Sequence, residues 1–208
     1  MQPSILAQPF SDPKWLFEPK WDGYRALCYF GDTVKFISRK KNDLTKRFSE
    51  LQAIQIKAES AIIDGEITAI DEDGLPCFDE LKKTRRTCAI VFYAFDLLAL
   101  NGEDLRSLPL LKRKASLKRI LRKTKHNRIR FTDYVIGEGL ALFAELEQRN
   151  LEGMVAKKID SQYTGGRTRD WLKIKTAAGK EEMRARIETG SRRSHVKLSR
   201  NALNYSSV

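Results

Sequence analysis

The chain has 208 residues, 41% of them hydrophobic, and its 39 Lys and Arg against 27 Asp and Glu give a formal net charge of +12. That is enough chain for one well-buried core, with or without an appendage, and it holds no run of about 18 apolar residues that would span a bilayer. Two histidines and three cysteines (Cys28, Cys77, Cys88) without CxxC spacing argue against a His-based or thiolate metal site and a disulfide framework, and point to a reducing cytoplasm.

The start, "MQPSILAQPF", has no basic segment ahead of an apolar one, so no secretory signal is expected. Short runs rich in Ile, Val, Phe and Tyr then follow: "ALCYF" (26–30), "VKFIS" (34–38), "AIIDGEITAI" (61–70) and "CAIVFYAFDLLAL" (88–100). Bounded by Gly and Asp turns, they predict strands, with a hairpin at "FGDTV". Phe48, Leu51 and Ile54 recur at helical spacing in "RFSELQAIQIKAE". Leu110, Leu117 and Leu121 line one side of "LLKRKASLKRILRK", with Lys and Arg expected on the other. Leu140, Phe143 and Ala144 do the same in "EGLALFAELEQR". Strands return at "GMVAKK" and "DWLKIK", and a short helix is expected through "GKEEMRARIE". Strands and helices do not alternate regularly, so an α+β fold of mixed, mainly antiparallel sheets flanked by helices is expected rather than a doubly wound sheet.

The positive charge is clustered in "SRKKNDLTKR" (38–47), "LKKTRR" (81–86), "LKRKASLKRILRKTK" (111–125) and the segment after Lys175. Several basic stretches around a mixed core fit a surface that tracks a phosphate backbone, because counterion release favours polyanions. Residues 1–189 are read as one domain and 190–208 as a basic, flexible tail.

With so little His and Cys, chemistry must come from Lys, Arg, Glu and Asp. "KWDGYR" places Lys20 two residues before Asp22, with Gly23 and Arg25 following. In order after it come "SRKKNDLTKRF" (38–48), "IIDGEI" (62–67), "FYAFDLL" (92–98), "LEGMVAKK" (151–158) and "WLKIK" (171–175). This array, over roughly residues 5–176, resembles the successive motifs of covalent nucleotidyltransferases, K-x-D-G-x-R first among them. Its wording is most similar to the ATP-dependent DNA ligases of bacterial and archaeal end joining. RNA ligases and mRNA capping enzymes share the first motif, and a weakly catalytic nucleic-acid-binding remnant is the reading from outside enzymology.

The resemblance implies a nucleotidyltransferase fold of ATP-grasp type, a lysyl-AMP intermediate on Lys20, and AMP transfer to the 5′-phosphate of a nick in double-stranded DNA. It implies ATP with Mg²⁺, or Mn²⁺ in its place. Arg25 and Arg39 would grip the nucleotide and the nick, Glu66 the ribose hydroxyls, and Glu18 the adenine edge. Phe95 would stack on the base and Glu152 would hold the metal. Lys157 is divided between a phosphate contact and structural pairing. Lys173 and Lys175, two apart on a strand, share one face and would both point at phosphates. A lysine of ordinary pKa is well under ~1% neutral at pH 7, and neighbouring cations and desolvation are what would free its amine to attack. Ligases of this type continue into an OB-fold domain. The 33 residues after Lys175 are too few for one, so help from a separate OB-fold or end-joining protein is expected for sealing.

Overall fold

The computed structural model of the chain describes residues 1–122, 127–185 and 187–188; the tail expected at 190–208 lies outside them, as do both histidines. Eleven strands form two sheets among the described residues. The first joins β1 (Gln2–Ile5), β11 (Arg167–Lys175), β10 (Gly153–Lys158), β2 (Trp15–Pro19) and β9 (Val135–Ile136), in that order. The second joins β4 (Lys35–Ser38), β3 (Tyr24–Phe30), β5 (Ala61–Ile70), β6 (Ala89–Leu100) and β7 (Glu103–Asp104), with β8 (Ile129–Phe131) also on β6. Among the described residues only the β1–β11 and β6–β8 pairings are parallel, so the fold is α+β with mixed, mainly antiparallel sheets.

Alternation along the strands decides what each face of the first sheet does. Phe17, Met154, Ala156 and Ile174 are fully buried on one face and pack with Leu146 of α2 (Gly139–Gln148). The opposite face carries Leu16 and Glu18 of β2, Val155 and Lys157 of β10, and Trp171, Lys173 and Lys175 of β11. Registers set Glu18 opposite Val155, and Val155 opposite Lys173. The second sheet buries Ala26, Cys28, Ile63, Ile67, Phe92 and Ala94 in the largest core, against Phe48, Leu51 and Leu117. Each fully buried Leu, Ile or Phe there contributes about 1.5–3 kcal/mol. Gly23 is required where the chain crosses between sheets, because a Cβ there would lie 2.1 Å from the Ile67 carbonyl oxygen.

Three helical expectations are corrected. Residues 47–59 form only a single 3₁₀ turn, Ser49–Leu51, closed by i→i+3 bonds such as Gln52 N–H to Ser49 O at 3.0 Å. Ile54 and Ile56 are both buried, and residues two apart point the same way only on extended backbone. The second expectation is met by a helix, α1, spanning Leu110–Arg122, but its cations are not all on the outer side: Arg113 and Lys114 are fully buried with Leu110, Leu117 and Leu121. In α2, Leu140 is 53% exposed and Ala144 is also exposed; the packed stripe is Leu142, Phe143 and Leu146. A third helix, α3, covers residues 177–185.

Candidate active site

The chain leaves β2 at Pro19, and the Lys20 N–H donates to Gly153 O at 2.8 Å, which carries the β2–β10 pairing one residue further. The Lys20 side chain therefore stays on the face of Glu18 and Val155. Its Nζ is paired with Oε2 of Glu152, and Lys175 Nζ binds the other oxygen at 2.9 Å. Gly153 shapes this corner: its φ of +146° suits glycine, and a Cβ would meet Ile174 O at 2.2 Å. The two ion pairs outweigh burial and hold the Glu152 carboxyl below its usual range. Lys173 lines the same cleft, and burial, then Lys20 and Lys175, push its ammonium pKa down. Lys173 and Lys175 thus share a face but divide their work. Lys175 is taken up by Glu152 and by Gly179 O at 3.2 Å, while Lys173 faces the opening.

The facing wall comes from the second sheet. Arg25 grips Asp64 with two parallel bonds, Nε to Oδ1 at 3.0 Å and Nη2 to Oδ2 at 2.6 Å, and Tyr163 donates its hydroxyl to Asp64 at 2.8 Å. The guanidinium fork expected to hold nucleotide is thus already occupied by a carboxylate. Glu66, opposite Arg25 in the ladder, has its carboxyl pushed up to about 8 by burial, against the pull of Lys20 and Arg25. Arg39 is exposed at the mouth. Phe95 and Trp171 meet edge to face at 6.1 Å, and Phe95 presents its ring to the cleft, whose volume is about 200 Å³.

At the closed end Glu18, 2% exposed, is held from both sides, Oε1 by Lys114 Nζ and Oε2 by Lys157 Nζ, each at 2.5 Å. Lys157 also sits over the rings of Phe95 and Trp171, at 4.3 and 4.2 Å. Of its two expected roles the geometry displays the ion pair. Next to Lys114, Arg113 forms a fully buried fork with Asp96 (2.8 and 2.9 Å) and reaches Leu108 O and Ser161 O at 2.5 and 2.9 Å. Adjacent residues of α1 therefore tie the two sheets together behind the cleft.

One pH effect follows from Lys157. Burial pushes its ammonium down to about 8, partly offset by Glu18. Between pH 8 and 10.5 the unfolded chain binds the proton that the folded chain has lost, so the Lys157 contribution to stability rises with pH in that window. Above pH 9 the Cys28 thiol, pushed up to about 12 by burial, contributes in the opposite sense. Urea unfolding should show this contribution as a steeper upward pH slope of stability in the wild type than in Lys157→Met, with a ceiling on the difference of about 1.4 kcal/mol per pH unit.

The cleft brings Glu18, Lys20, Arg25, Arg39, Glu66, Phe95 and Lys173 onto one lining, with Glu152 and Lys175 directly behind Lys20. Asp64, Tyr163, Trp171, Lys114 and the Arg113–Asp96 pair were not anticipated. A wider cleft of about 900 Å³ lies elsewhere, lined by Lys46, Arg47, Lys82, Lys83, Arg86 and Arg128 among others. It holds neither the Lys20 amine nor an aromatic plate, so the smaller cleft is the candidate active site. Among the described residues no three His, Cys, Asp or Glu side chains gather as a metal cluster, and no helix is long and apolar enough to cross a membrane.

The SPbeta prophage-derived DNA ligase-like protein LigB of Bacillus subtilis is 31% identical over 177 residues, 81% of this chain and 64% of that protein. The multifunctional non-homologous end joining DNA repair protein LigD of Mycobacterium tuberculosis is 32% identical over 78% of this chain and 22% of its own length. The chain thus spans about two thirds of the first relative and about a fifth of the second. Among solved structures, mycobacterial DNA ligase D complexed with ATP and MES superposes with a TM-score of 0.71 at 30% identity, covering 84% of this chain and 60% of that one. The family described as the ATP dependent DNA ligase domain matches residues 4–175, and the chain belongs to that family.

Proposed function

We propose that this chain is the nucleotidyl-accepting catalytic unit of an ATP-dependent DNA ligase, with Lys20 as the nucleophile. The observation that carries the reading is the placement of the Lys20 amine beside Glu152 and Lys173 at the open side of a cleft plated by Phe95. Support for ATP comes from the family and from the related ligase solved with ATP.

In the first step the ammonium loses a proton and the Nζ lone pair attacks the α-phosphorus. The N–P bond forms, the bond from the α-phosphorus to the bridging oxygen breaks, and pyrophosphate leaves with that electron pair. A second proton departs from nitrogen, leaving a phosphoramidate. Glu152 orients the amine through its ion pair, and the cations Lys173 and Lys175 lower the cost of gathering phosphate oxygens here. In the second step an oxygen of a 5′-phosphate attacks the same phosphorus, and the N–P bond breaks as the Lys20 nitrogen takes up a proton. In the third a 3′-hydroxyl loses its proton and attacks the 5′-phosphorus, and AMP leaves with the electron pair of the bond that joined them.

The carboxylates fit a hard cation. Glu152 is paired with Lys20 and Glu66 lines the same cleft, and Mg²⁺ is commonly held by one or two carboxylates plus substrate phosphates. Burial favours the neutral form of the Glu66 carboxyl, whereas Lys20 and Lys175 keep Glu152 ionised against burial, so Glu152 is the residue that would hold the ion. When bound, Mg²⁺ (or Mn²⁺) supplies neutralisation of the triphosphate and of the charge on the leaving group.

Nicked duplex DNA is the proposed partner of the basic surface, above all the cleft of Lys46, Arg47, Lys82 and Lys83. The test is a nicked duplex labelled at the 5′-phosphate of the nick, offered with ATP and Mg²⁺. AMP-capped strand, and then sealed strand, supports the reading. Failure to form either from protein already loaded with AMP overturns the DNA assignment, and an equivalent nick in RNA tests the RNA-ligase alternative.

A further inference from the structure

Lys114 lies outside every motif that led to the site, yet it is one of the most enclosed cations in the protein, with no exposed side-chain surface. Its three N–H donors are all used: Glu18 Oε1 at 2.5 Å, Thr132 O at 3.2 Å and Phe95 O at 3.3 Å. The rings of Phe131 and Tyr134 lie 4.5 and 4.8 Å from its nitrogen. Burying an ammonium costs several kcal/mol, and a packed apolar side chain in its place is often neutral or stabilising. Leu110 and Leu117 on the same stripe show that such side chains fit this face. A charge kept here at that cost has something to hold.

What it holds is one oxygen of Glu18, and Glu18 lines the cleft while Lys114 does not. The other oxygen lies against Lys157, which also lines the cleft, its nitrogen over the Phe95 ring. A base stacked on Phe95 would therefore turn its edge toward a carboxylate acceptor and an ammonium donor side by side. Adenine offers an amine donor at C6 and an acceptor at N1; guanine offers an acceptor at C6 and a donor at N1. The pair matches the first pattern and opposes the second at both atoms. Take away Lys114 and the freed carboxylate can close on Lys157 with both oxygens, withdrawing acceptor and donor from the base together.

We propose that Lys114 is a positioning residue for nucleobase choice, holding Glu18 beside Lys157 so that the cleft accepts adenine and rejects guanine. This rests on the nucleotide role proposed above for the same cleft, and its test is kept separate from the chemistry by reading equilibrium binding.

Calorimetric titration of the full chain with ATP and with GTP should show wild-type preference for ATP. Lys114→Met should cut that preference by about 10–100-fold, the scale on which outer supporting residues act. Leu117→Ala, which loosens the same helix without touching Glu18, should lower thermal stability and leave the preference in place. Should Lys114→Met not fold, the wild type still decides: purine riboside triphosphate, which lacks the C6 amine, should bind more weakly than ATP. Equal wild-type affinity for ATP and GTP, equal affinity for ATP and the amine-free analogue, or an unchanged preference in a folded Lys114→Met overturns the inference. Failure of Lys20 labelling with the ATP preference intact would instead count against the proposed chemistry alone.

Discussion

Lys20→Ala protein, incubated with Mg²⁺ and ATP labelled at the α-phosphate, stays unlabelled under conditions in which the wild type carries the label through denaturing electrophoresis. The drop should exceed about 10³-fold, because removing a nucleophile eliminates the covalent step rather than weakening it. Lys20→Arg should be equally inactive. Its guanidinium keeps the positive charge and an ion pair with Glu152, but it cannot shed its proton to attack. The site itself supplies the rival candidates. Lys173 has a lowered ammonium pKa and faces the same opening, and Lys157 is lowered further. Lys157, however, is only 2% exposed and locked to Glu18, whereas the Lys20 side chain is 23% exposed. Label that survives Lys20→Ala and vanishes in Lys173→Ala would transfer the nucleophile to Lys173.

The second large effect is on stability. Asp96→Asn should destabilise the protein by about 3–5 kcal/mol, since it leaves the Arg113 guanidinium buried without its counter-charge. Asp96 and Arg113 have no exposed side-chain surface, and the same guanidinium holds Leu108 O and Ser161 O. Loosening it releases β6 from the segment following β10, and with them the two walls of the cleft. The exposed pair Asp104–Arg106 is the control, and Asp104→Asn should leave the urea midpoint unchanged. A midpoint for Asp96→Asn equal to that of the control would show that the buried pair does not join the sheets.

Much of this was legible in the residue order, for reasons that individual elements make plain. The strand read at 61–70 is β5 to the residue, because a ten-residue run rich in Ile, bounded by Ser60 and the turn at Asp71, has few other outlets. In β10 and β11 the period of two sorts Met154, Ala156 and Ile174 from Lys157, Lys173 and Lys175, so the cleft face is legible in the residue order. Other elements gave no such local sign. β1 reads "QPSI", with a proline and little apolar character, and it becomes a strand by pairing with β11. In β2, Leu16, Phe17 and Glu18 are all buried, so both faces are covered and alternation disappears.

The reading of α1 failed differently. Leu110, Leu117 and Leu121 mark an inward stripe, and positions three and four after Leu110 fall on it by helical geometry. Those positions are Arg113 and Lys114. Two cations inside an apolar stripe were the available sign of buried carboxylates elsewhere, but the sequence does not say that the partners are Asp96 and Glu18. Tyr163 and Asp64 meet across 99 residues and carried no local sign at all.

The most direct measurement is tandem mass spectrometry of the peptide containing Lys20, taken after incubation with ATP and Mg²⁺ and kept from acid, which cleaves the nitrogen–phosphorus bond. One AMP on the Lys20 side-chain nitrogen is the predicted result. AMP on Lys173, Lys175 or any other residue, or a Lys20 peptide that stays unmodified while AMP appears elsewhere on the protein, would contradict the account.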